Sequence, residues 1–355
     1  MTPESAPSPK PGAWAQSDPG SKPGAWASPK RILVIQLRRI GDVLMATPAL
    51  KALKKRYPAA AIDFLVEPPC DEVLSGNPDV AAVLVYRSDG WRDYLSWLAR
   101  IRGRRYDWVV DFMGNPRSAI LAAASGAPLR AGPAHVGHRW AYNLRMVQSS
   151  TIRYAGREKI RLLSGLGVPD TDPAVLPTLH LGTPKAPDPA GPIVFAPASR
   201  KPTRRWPGRH YAALGRMLRE RFRCPIIVLW GPGEKGVADE VAEGIGEGAT
   251  APETKTLREA ATILAGCRLL ATNCGGAKHL AVALGVPTLT IHGSSDPASW
   301  TPPDPRHLAL RREGLPCIGC GLNDCPRGIE CLEGLSPEKV FAAACRLLDA
   351  MYGPS

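Results

Sequence analysis

Several groups of side chains in this 355-residue sequence have types and spacings that can do chemistry. Gly41-Asp42 follows the apolar run Ile32-Leu33-Val34-Ile35 and the turn Gln36-Leu37-Arg38-Arg39. A carboxylate at the end of a buried strand can take a proton from an attacking hydroxyl, and the glycine before it lets a bulky group approach the backbone. Gly275-Gly276 divides the apolar stretch Leu269-Leu270-Ala271 from small residues that read as a helix from about Ala277 to Leu284. A glycine turn opening onto a helix points unpaired N–H groups outward, a seat for phosphate or another anion. Lys278 and His279 stand in its first turn, where cations oppose the helix dipole, so helix propensity does not account for them. Arg204 precedes Trp206-Pro207 in a strand-to-helix loop, with Arg205 its rival in register. Glu234 follows Trp230-Gly231-Pro232-Gly233 at the start of another helix. Cys317, Cys320, Cys325 and Cys331 are spaced C-x2-C-x4-C-x5-C, compatible with a tetrahedral structural zinc site but not with a standard finger.

Each group has a plainer reading. Asp42 can be a helix N-cap, a role that favours the ionised carboxylate and weakens it as a base. A weak base still serves if the proton leaves late, after the leaving group has largely departed. His279 can be a satisfied core histidine, Arg204 a solvated loop cation, Glu234 an early-helix carboxylate and the late cysteines ordinary thiols. His292, at the end of the strand Val286 to Ile291, faces the same side with no assigned role.

The elements that must position these residues alternate strand and helix. Buried strands are expected at Ile32 to Ile35, Ile62 to Val66, Val83 to Tyr86, Trp108 to Phe112 and Leu129 to Gly132. Helices are expected from Asp42 to Arg56, bent at its first turn by Pro48, and over Trp97 to Ile101, Ser118 to Ala124 and Arg153 to Leu166. Residues 169–192 carry seven prolines and read as a linker. The alternation restarts at Ile193 and runs to a last helix from Pro337 to Leu348, capped by Ser336. Continuous apolar strands argue for parallel sheets covered on both faces. The expected organisation is a tail over 1–30, a doubly wound domain over 31–168, a linker over 169–192 and a second doubly wound domain over 193–350. Ligands then sit at the C-terminal strand ends, facing a cleft between the domains.

Composition narrows the function class. The net charge is +13, which suits nucleic acid, an anionic membrane surface or a phosphorylated substrate without selecting one. Aromatics are only 6%, few for a nucleic-acid surface of interleaved bases and cations. No run reaches the length of a membrane span, and the N-terminus lacks the apolar core of a signal peptide, so a cytoplasmic protein is expected. Nine cysteines are then expected as reduced thiols. The tail holds seven prolines and a repeated Lys-Pro-Gly-Ala-Trp-Ala, and reads as a disordered extension or a docking motif. The first strand is followed by Gly41 alone instead of G-x-G-x-x-G, which removes the main support for a nicotinamide enzyme.

The strings LRRIGDVLMATPALKALKKRYP and NCGGAKHLAVALGVPTLTIHGSSDPASW, with Arg204-Arg205-Trp206-Pro207, resemble glycosyltransferase family 9, the ADP-heptose:lipopolysaccharide heptosyltransferases. The resemblance covers roughly residues 31–345. It implies a GT-B fold of two Rossmann-like domains, the first for the acceptor and the second for the nucleotide-sugar. It implies an inverting transfer of heptose from ADP-heptose to a lipopolysaccharide inner-core acceptor, without a metal or other cofactor. By position, Asp42 would be the general base, Arg204 would meet the donor's phosphates, and Glu234 or Lys235 the ribose. Gly275 and Gly276 would form the pyrophosphate turn with Lys278 and His279 beside them, and Gly41, Arg38 and Arg39 would lie on the acceptor side. A lipid-linked acceptor gives the basic charge a use in peripheral contact with the cytoplasmic face of the inner membrane, with no nucleic acid involved. One position departs from the family pattern: Cys274 stands where an acidic residue is usual. That motivates an alternative donor or surface glycan; a non-catalytic binding protein is the alternative from another class.

Overall fold

The expected alternation is present in duplicate. The computed structural model describes residues 27–170, 176–182 and 187–353, so the tail's tryptophan repeat and parts of the 169–192 stretch lie outside the described residues. The first half contains β1 (Arg31–Ile35), α1 (Ile40–Leu44), α2 (Thr47–Arg56), β2 (Ala61–Val66), β3 (Ala82–Val85), α3 (Trp91–Gly103), β4 (Trp108–Asp111), α4 (Pro116–Ala124), β5 (Leu129–Pro133), β6 (Leu144–Met146) and α5 (Ala155–Arg161). The second contains β7 (Ile193–Ala196), α6 (Gly208–Phe222), β8 (Ile226–Val228), α7 (Lys235–Ile245), β9 (Ala249–Thr250), α8 (Leu257–Ala265), β10 (Leu269–Asn273) and α9 (Gly276–Ala283). It closes with β11 (Thr288–Ile291), α10 (Pro297–Trp300), β12 (His307–Leu310), α11 (Glu330–Glu333) and α12 (Pro337–Tyr352).

All pairings in both sheets are parallel, and the strand orders are β3-β2-β1-β4-β5-β6 and β12-β11-β10-β7-β8-β9. Counted from its own first strand, each sheet has the order 3-2-1-4-5-6. Chain direction across such a sheet reverses between its first and fourth strands, and the crevice at that point is where ligands bind. Here the crevices open between the C-terminal ends of β1 and β4 and between those of β7 and β10.

Alternation along the strands decides what each face meets. Leu33 and Ile35 pack with Trp97 and Ile101 of α3 and Ala119 and Ala122 of α4. Ile32 and Val34 face the other way, into a cluster with Leu44, Leu50 and Ile160 that continues through Leu280 and Ala281 into Val194 and Leu270 of the second sheet. The inner faces of the two halves are therefore joined by apolar burial, with α1 packed against α9. The outer face of the second sheet puts Phe195, Leu269 and Ile291 against Trp206, Tyr211 and α12.

The first long helix is broken rather than bent: α1 ends at Leu44 and α2 begins at Thr47, where the Thr47 hydroxyl donates to the Leu44 carbonyl and Pro48 occupies the first turn. Asn115 and Ser118 form a reciprocal cap on α4, and Ser336 accepts from the Lys339 N–H at the start of α12. Strands β6, β9 and β12 are additions to the sequence reading. They are two to four residues long, and β6 exposes Arg145 while β12 begins with His307, so none presents an apolar run. Among the described residues no helix is long and apolar enough to cross a membrane.

Trp206 is the bulkiest wholly buried side chain, its indole N–H donating to the Leu335 carbonyl at 2.9 Å. Trp206→Ala leaves a large cavity and an unpaired acceptor, and should destabilise the protein by about 3–5 kcal/mol; urea denaturation followed by circular dichroism measures it, and a shift below about 1 kcal/mol would contradict this packing.

Candidate active site

Asp42 lies in the first turn of α1, one residue after the close contact that joins the halves. A Cβ built on Gly41 would fall 2.5 Å from Cδ2 of His279, so the bulky neighbour that needs a glycine here is the imidazole from α9. Arg39 precedes α1, and Arg38 pairs with Glu67 at 3.7 Å, a carboxylate that Arg117 also engages at 2.7 Å.

The floor beneath Asp42 contains a group that the sequence reading passed over. Lys159, on α5, donates to Oε1 of Gln36 at 2.9 Å and lies 4.7 Å from the Phe112 ring centre, while Gln36 donates from Nε2 to the Arg38 carbonyl at 2.8 Å. Burial pushes the Lys159 amine down to about 8, against the opposing pull of Asp42 and Asp111. Asp111 closes β4 and is buried, accepting from the Tyr142 hydroxyl at 2.7 Å and from the Met113 and Gly114 N–H groups; burial raises its carboxyl above the usual range despite these bonds. Lys159 had no sequence signal of its own, because its helix reads as a basic amphipathic segment and only the fold turns this lysine inward.

Across the interface, the ends of β7 and β10 are stapled together. The Asn273 amide donates to the Pro197 carbonyl at 2.5 Å and its Oδ1 accepts from the Trp206 N–H at 3.0 Å. The strand end at Gly293 presses on the same loop, since a Cβ there would meet the Thr203 carbonyl at 2.5 Å. These contacts fix the loop carrying Arg204. The Arg204 guanidinium lies 5.9 Å from the Trp300 ring centre and its buried Nε has no partner. Arg205 turns aside and donates to the Ser199 carbonyl. Of the two arginines, Arg204 is the one with a buried, unpartnered donor.

Gly275 caps α9 in an extended conformation, with no side chain bonded to the helix N-terminus. A Cβ at Gly276 meets nothing within 4 Å, so the space over the first turn is open. Lys278 differs from the expected exposed phosphate ligand. It is wholly buried, and its ammonium donates to the Trp300 carbonyl at 2.6 Å and to Cys274 Sγ at 3.6 Å. Burial lowers its amine from the ordinary lysine range. His279 is also buried, with Nδ1 unpartnered, and burial together with Lys278 and His292 holds it well below the ordinary histidine range and hence neutral. His292 is a structural link, bonded to Ser295 and Thr301 at 3.0 Å each and pushed down to about 3 chiefly by burial.

Among the described residues Arg39, Lys201, Arg204 and Lys278 have no carboxylate within salt-bridge distance. Lys201 is shifted down by burial and then by Arg204, Arg39 and Arg200, so Arg39 of the first half faces the second half's cationic loop. No carboxylate contributes to the shifts of Lys201, Lys278, His279 or His292. Glu234 stands beyond β8, where its Oε2 accepts from the Gly231 N–H at 2.9 Å and holds that turn; Lys235 pairs with Asp239. The late cysteines are free thiols, with Cys325 Sγ accepting from the Arg327 and Ile329 N–H groups at 3.4 Å. Among the described residues no three His, Cys, Asp or Glu side chains converge as metal ligands; Cys317, Cys320 and Cys325 nevertheless lie near enough to Cys331 to raise its thiol, after burial.

Residues 95–326 match the model of glycosyltransferase family 9 (heptosyltransferase). The matched span begins downstream of Asp42 and includes the Arg204 loop and the Gly275 turn. The chain is 27% identical over 319 residues to lipopolysaccharide heptosyltransferase 1 of Pseudomonas aeruginosa, covering 83% of this chain and 87% of that one. It is 26% identical to lipopolysaccharide heptosyltransferase 2 of Escherichia coli, covering 77% and 85%. Among solved structures it superposes on a family 9 glycosyltransferase from Veillonella parvula with a TM-score of 0.75 at 24% identity, covering 90% of this chain and 97% of that one. For the E. coli ADP-heptose heptosyltransferase II the TM-score is 0.73 at 22% identity, covering 90% and 99%.

The influence of Asp42 on Lys159 is directly measurable. Lysine-selective NMR should find one amine titrating near 8. Asp42→Asn should move that midpoint lower, because the lost negative charge had favoured the protonated amine. A midpoint in the ordinary lysine range, or one that rises in the variant, contradicts the geometry.

Proposed function

The chain belongs to glycosyltransferase family 9, and from that premise we propose that it transfers heptose from ADP-heptose to a lipopolysaccharide inner-core acceptor, inverting and without a metal ion. The observation that carries this reading is the uncapped N-terminus of α9, a helix that packs against the one carrying Asp42, with the unpartnered Arg204 Nε and buried Lys278 in the same half of the chain. Cleaving a sugar–phosphate bond develops charge on the departing diphosphate, and fixed positive groups stabilise that charge in the transition state. In this reading Gly275, Gly276 and the first N–H groups of α9 receive the diphosphate, Arg204 contacts it, and Lys278 acts through space from behind the turn. The neutral, unpartnered Nδ1 of His279 can hydrogen-bond the donor. Glu234 shapes the turn near the ribose, with one carboxylate oxygen already used.

On the acceptor side, Asp42 takes the hydroxyl proton as that oxygen attacks the anomeric carbon from the face opposite the diphosphate. The new C–O bond forms as the sugar–phosphate bond breaks, and ADP leaves with the negative charge. One displacement inverts the anomeric centre. Lys159 steadies the 36–39 turn through Gln36. Arg38 and Arg39 border the acceptor, whose lipid anchor calls for peripheral membrane contact.

Cys274 favours a second reading within the family. Its thiol lies beside Lys278 and near the open turn, so the sugar meets a small, weakly polar group where a carboxylate is usual. A different donor sugar is then the alternative, and thermal-shift comparison of ADP-, UDP- and GDP-sugars separates the two.

Asp42→Asn should lower turnover by about 10²–10⁴-fold while ADP binding persists; wild-type-like turnover removes Asp42 from the mechanism. Arg204→Ala should weaken ADP binding by about 10–100-fold, the equivalent of a charged hydrogen bond, measured by calorimetry. Unchanged affinity reassigns the diphosphate contact.

A further inference from the structure

Charge and exposed apolar surface are both concentrated in the first half of the chain. Residues 31–168 hold 21 lysines and arginines against 11 aspartates and glutamates, a net +10 of the chain's +13. Among the described residues seven large apolar side chains are exposed, and six of them fall between residues 91 and 152; the seventh is Leu322. Two are tryptophans, Trp91 at 68% and Trp140 at 65% exposure.

The fold puts four of the six, Trp91, Leu95, Ile120 and Trp140, on one layer. Trp91 opens α3 and Leu95 follows one turn on, on the side opposite Trp97 and Ile101, which fill the core. Helix α4, carrying exposed Ile120, packs beside α3, and the 3-10 turn Arg139–Ala141, carrying Trp140, packs against α4. All three segments begin beyond the C-terminal ends of β3, β4 and β5, the edge of the sheet on which Asp42 also lies. Arg92 is exposed and stacks 5.4 Å from the Trp91 ring centre, and exposed Arg139 adjoins Trp140. Burying tryptophan in water-facing positions of this kind gains nothing for the fold. Indole rings flanked by arginine suit the boundary between lipid headgroups and acyl chains, where the ring is partly buried and the cation meets phosphate.

We propose that the α3–α4–Trp140 layer is a docking surface for an anionic lipid bilayer, with Trp91 and Trp140 as its interfacial anchors. The proposal rests on the reading of the acceptor as lipid-linked, and it gives that acceptor a route: a bilayer against this layer delivers a headgroup to the strand ends beside Asp42. The aliphatic members, Leu95 and Ile120, argue for a bilayer over a nucleic acid, which has no use for them.

The test is co-sedimentation of the full-length protein with vesicles of phosphatidylcholine alone and of phosphatidylcholine containing phosphatidylglycerol. The wild type should bind the anionic vesicles at least tenfold better, and high salt should weaken that binding. The double variant Trp91→Ser/Trp140→Ser should lose at least tenfold of it, while Leu322→Ser should not. ADP binding and turnover on a deacylated, water-soluble acceptor should be unchanged in both variants. The proposal is overturned if the wild type ignores anionic vesicles, if the double variant binds as well as the wild type, or if light scattering shows a dimer that the double variant abolishes. If vesicle binding fails while ADP binding and transfer persist, the surface is wrong and the enzyme reading stands; if ADP binding and transfer fail in the wild type, that reading falls.

Discussion

Residue 41 has no side chain, and the imidazole of His279 occupies the space a methyl group would need. That close approach places α1 of one sheet against α9 of the other, so Asp42 and the Gly275-Gly276 turn hold one fixed spatial relation. The apolar cluster running from Ile32 and Val34 through Leu280 to Val194 and Leu270 maintains the approach by burial. The contact is steric and the adhesion is hydrophobic; the chemistry sits at the rim of both.

Polar groups behind the site divide into those already bonded and those left available. Asn273, Thr203, His292 and Gln36 spend their capacity on neighbouring loops. Their bonds leave Arg204 Nε, His279 Nδ1 and the first turn of α9 unpartnered. Buried polar groups are rarely left so in a folded protein without a ligand or water to meet them. The mutual repulsion of Arg39, Lys201 and Arg204 points the same way, because uncompensated positive charge is relieved when an anion binds.

Both halves share one strand order, and their ligand crevices face each other. The division of labour between them follows their charge and surface. The second half groups buried Lys278 and partly buried Lys201 and Arg204 near the α9 turn, an arrangement suited to a compact diphosphate. The first half spreads a larger positive charge and its exposed tryptophans over an outer layer, fitted to an extended anionic surface.

The architecture was legible in the sequence because its main strands are continuous apolar runs and its longer helices have amphipathic spacing. Asp42, Arg204 and the Gly275-Gly276 turn were legible as well, since strand ends and glycine turns are local features that spacing reveals. The short strands β6, β9 and β12 were not, because two to four residues without an apolar run carry no periodic signal. Nor was the enclosure of Lys278 or the packing of Lys159 against Gln36 and Phe112. Each of these depends on which side chain points inward and on which neighbours the fold brings to it. By itself, the sequence determined two doubly wound sheets with a carboxylate and a glycine turn at their strand ends. Tertiary packing alone decided which cations are buried, bonded or free, because desolvation and hydrogen bonding are set by neighbours in space.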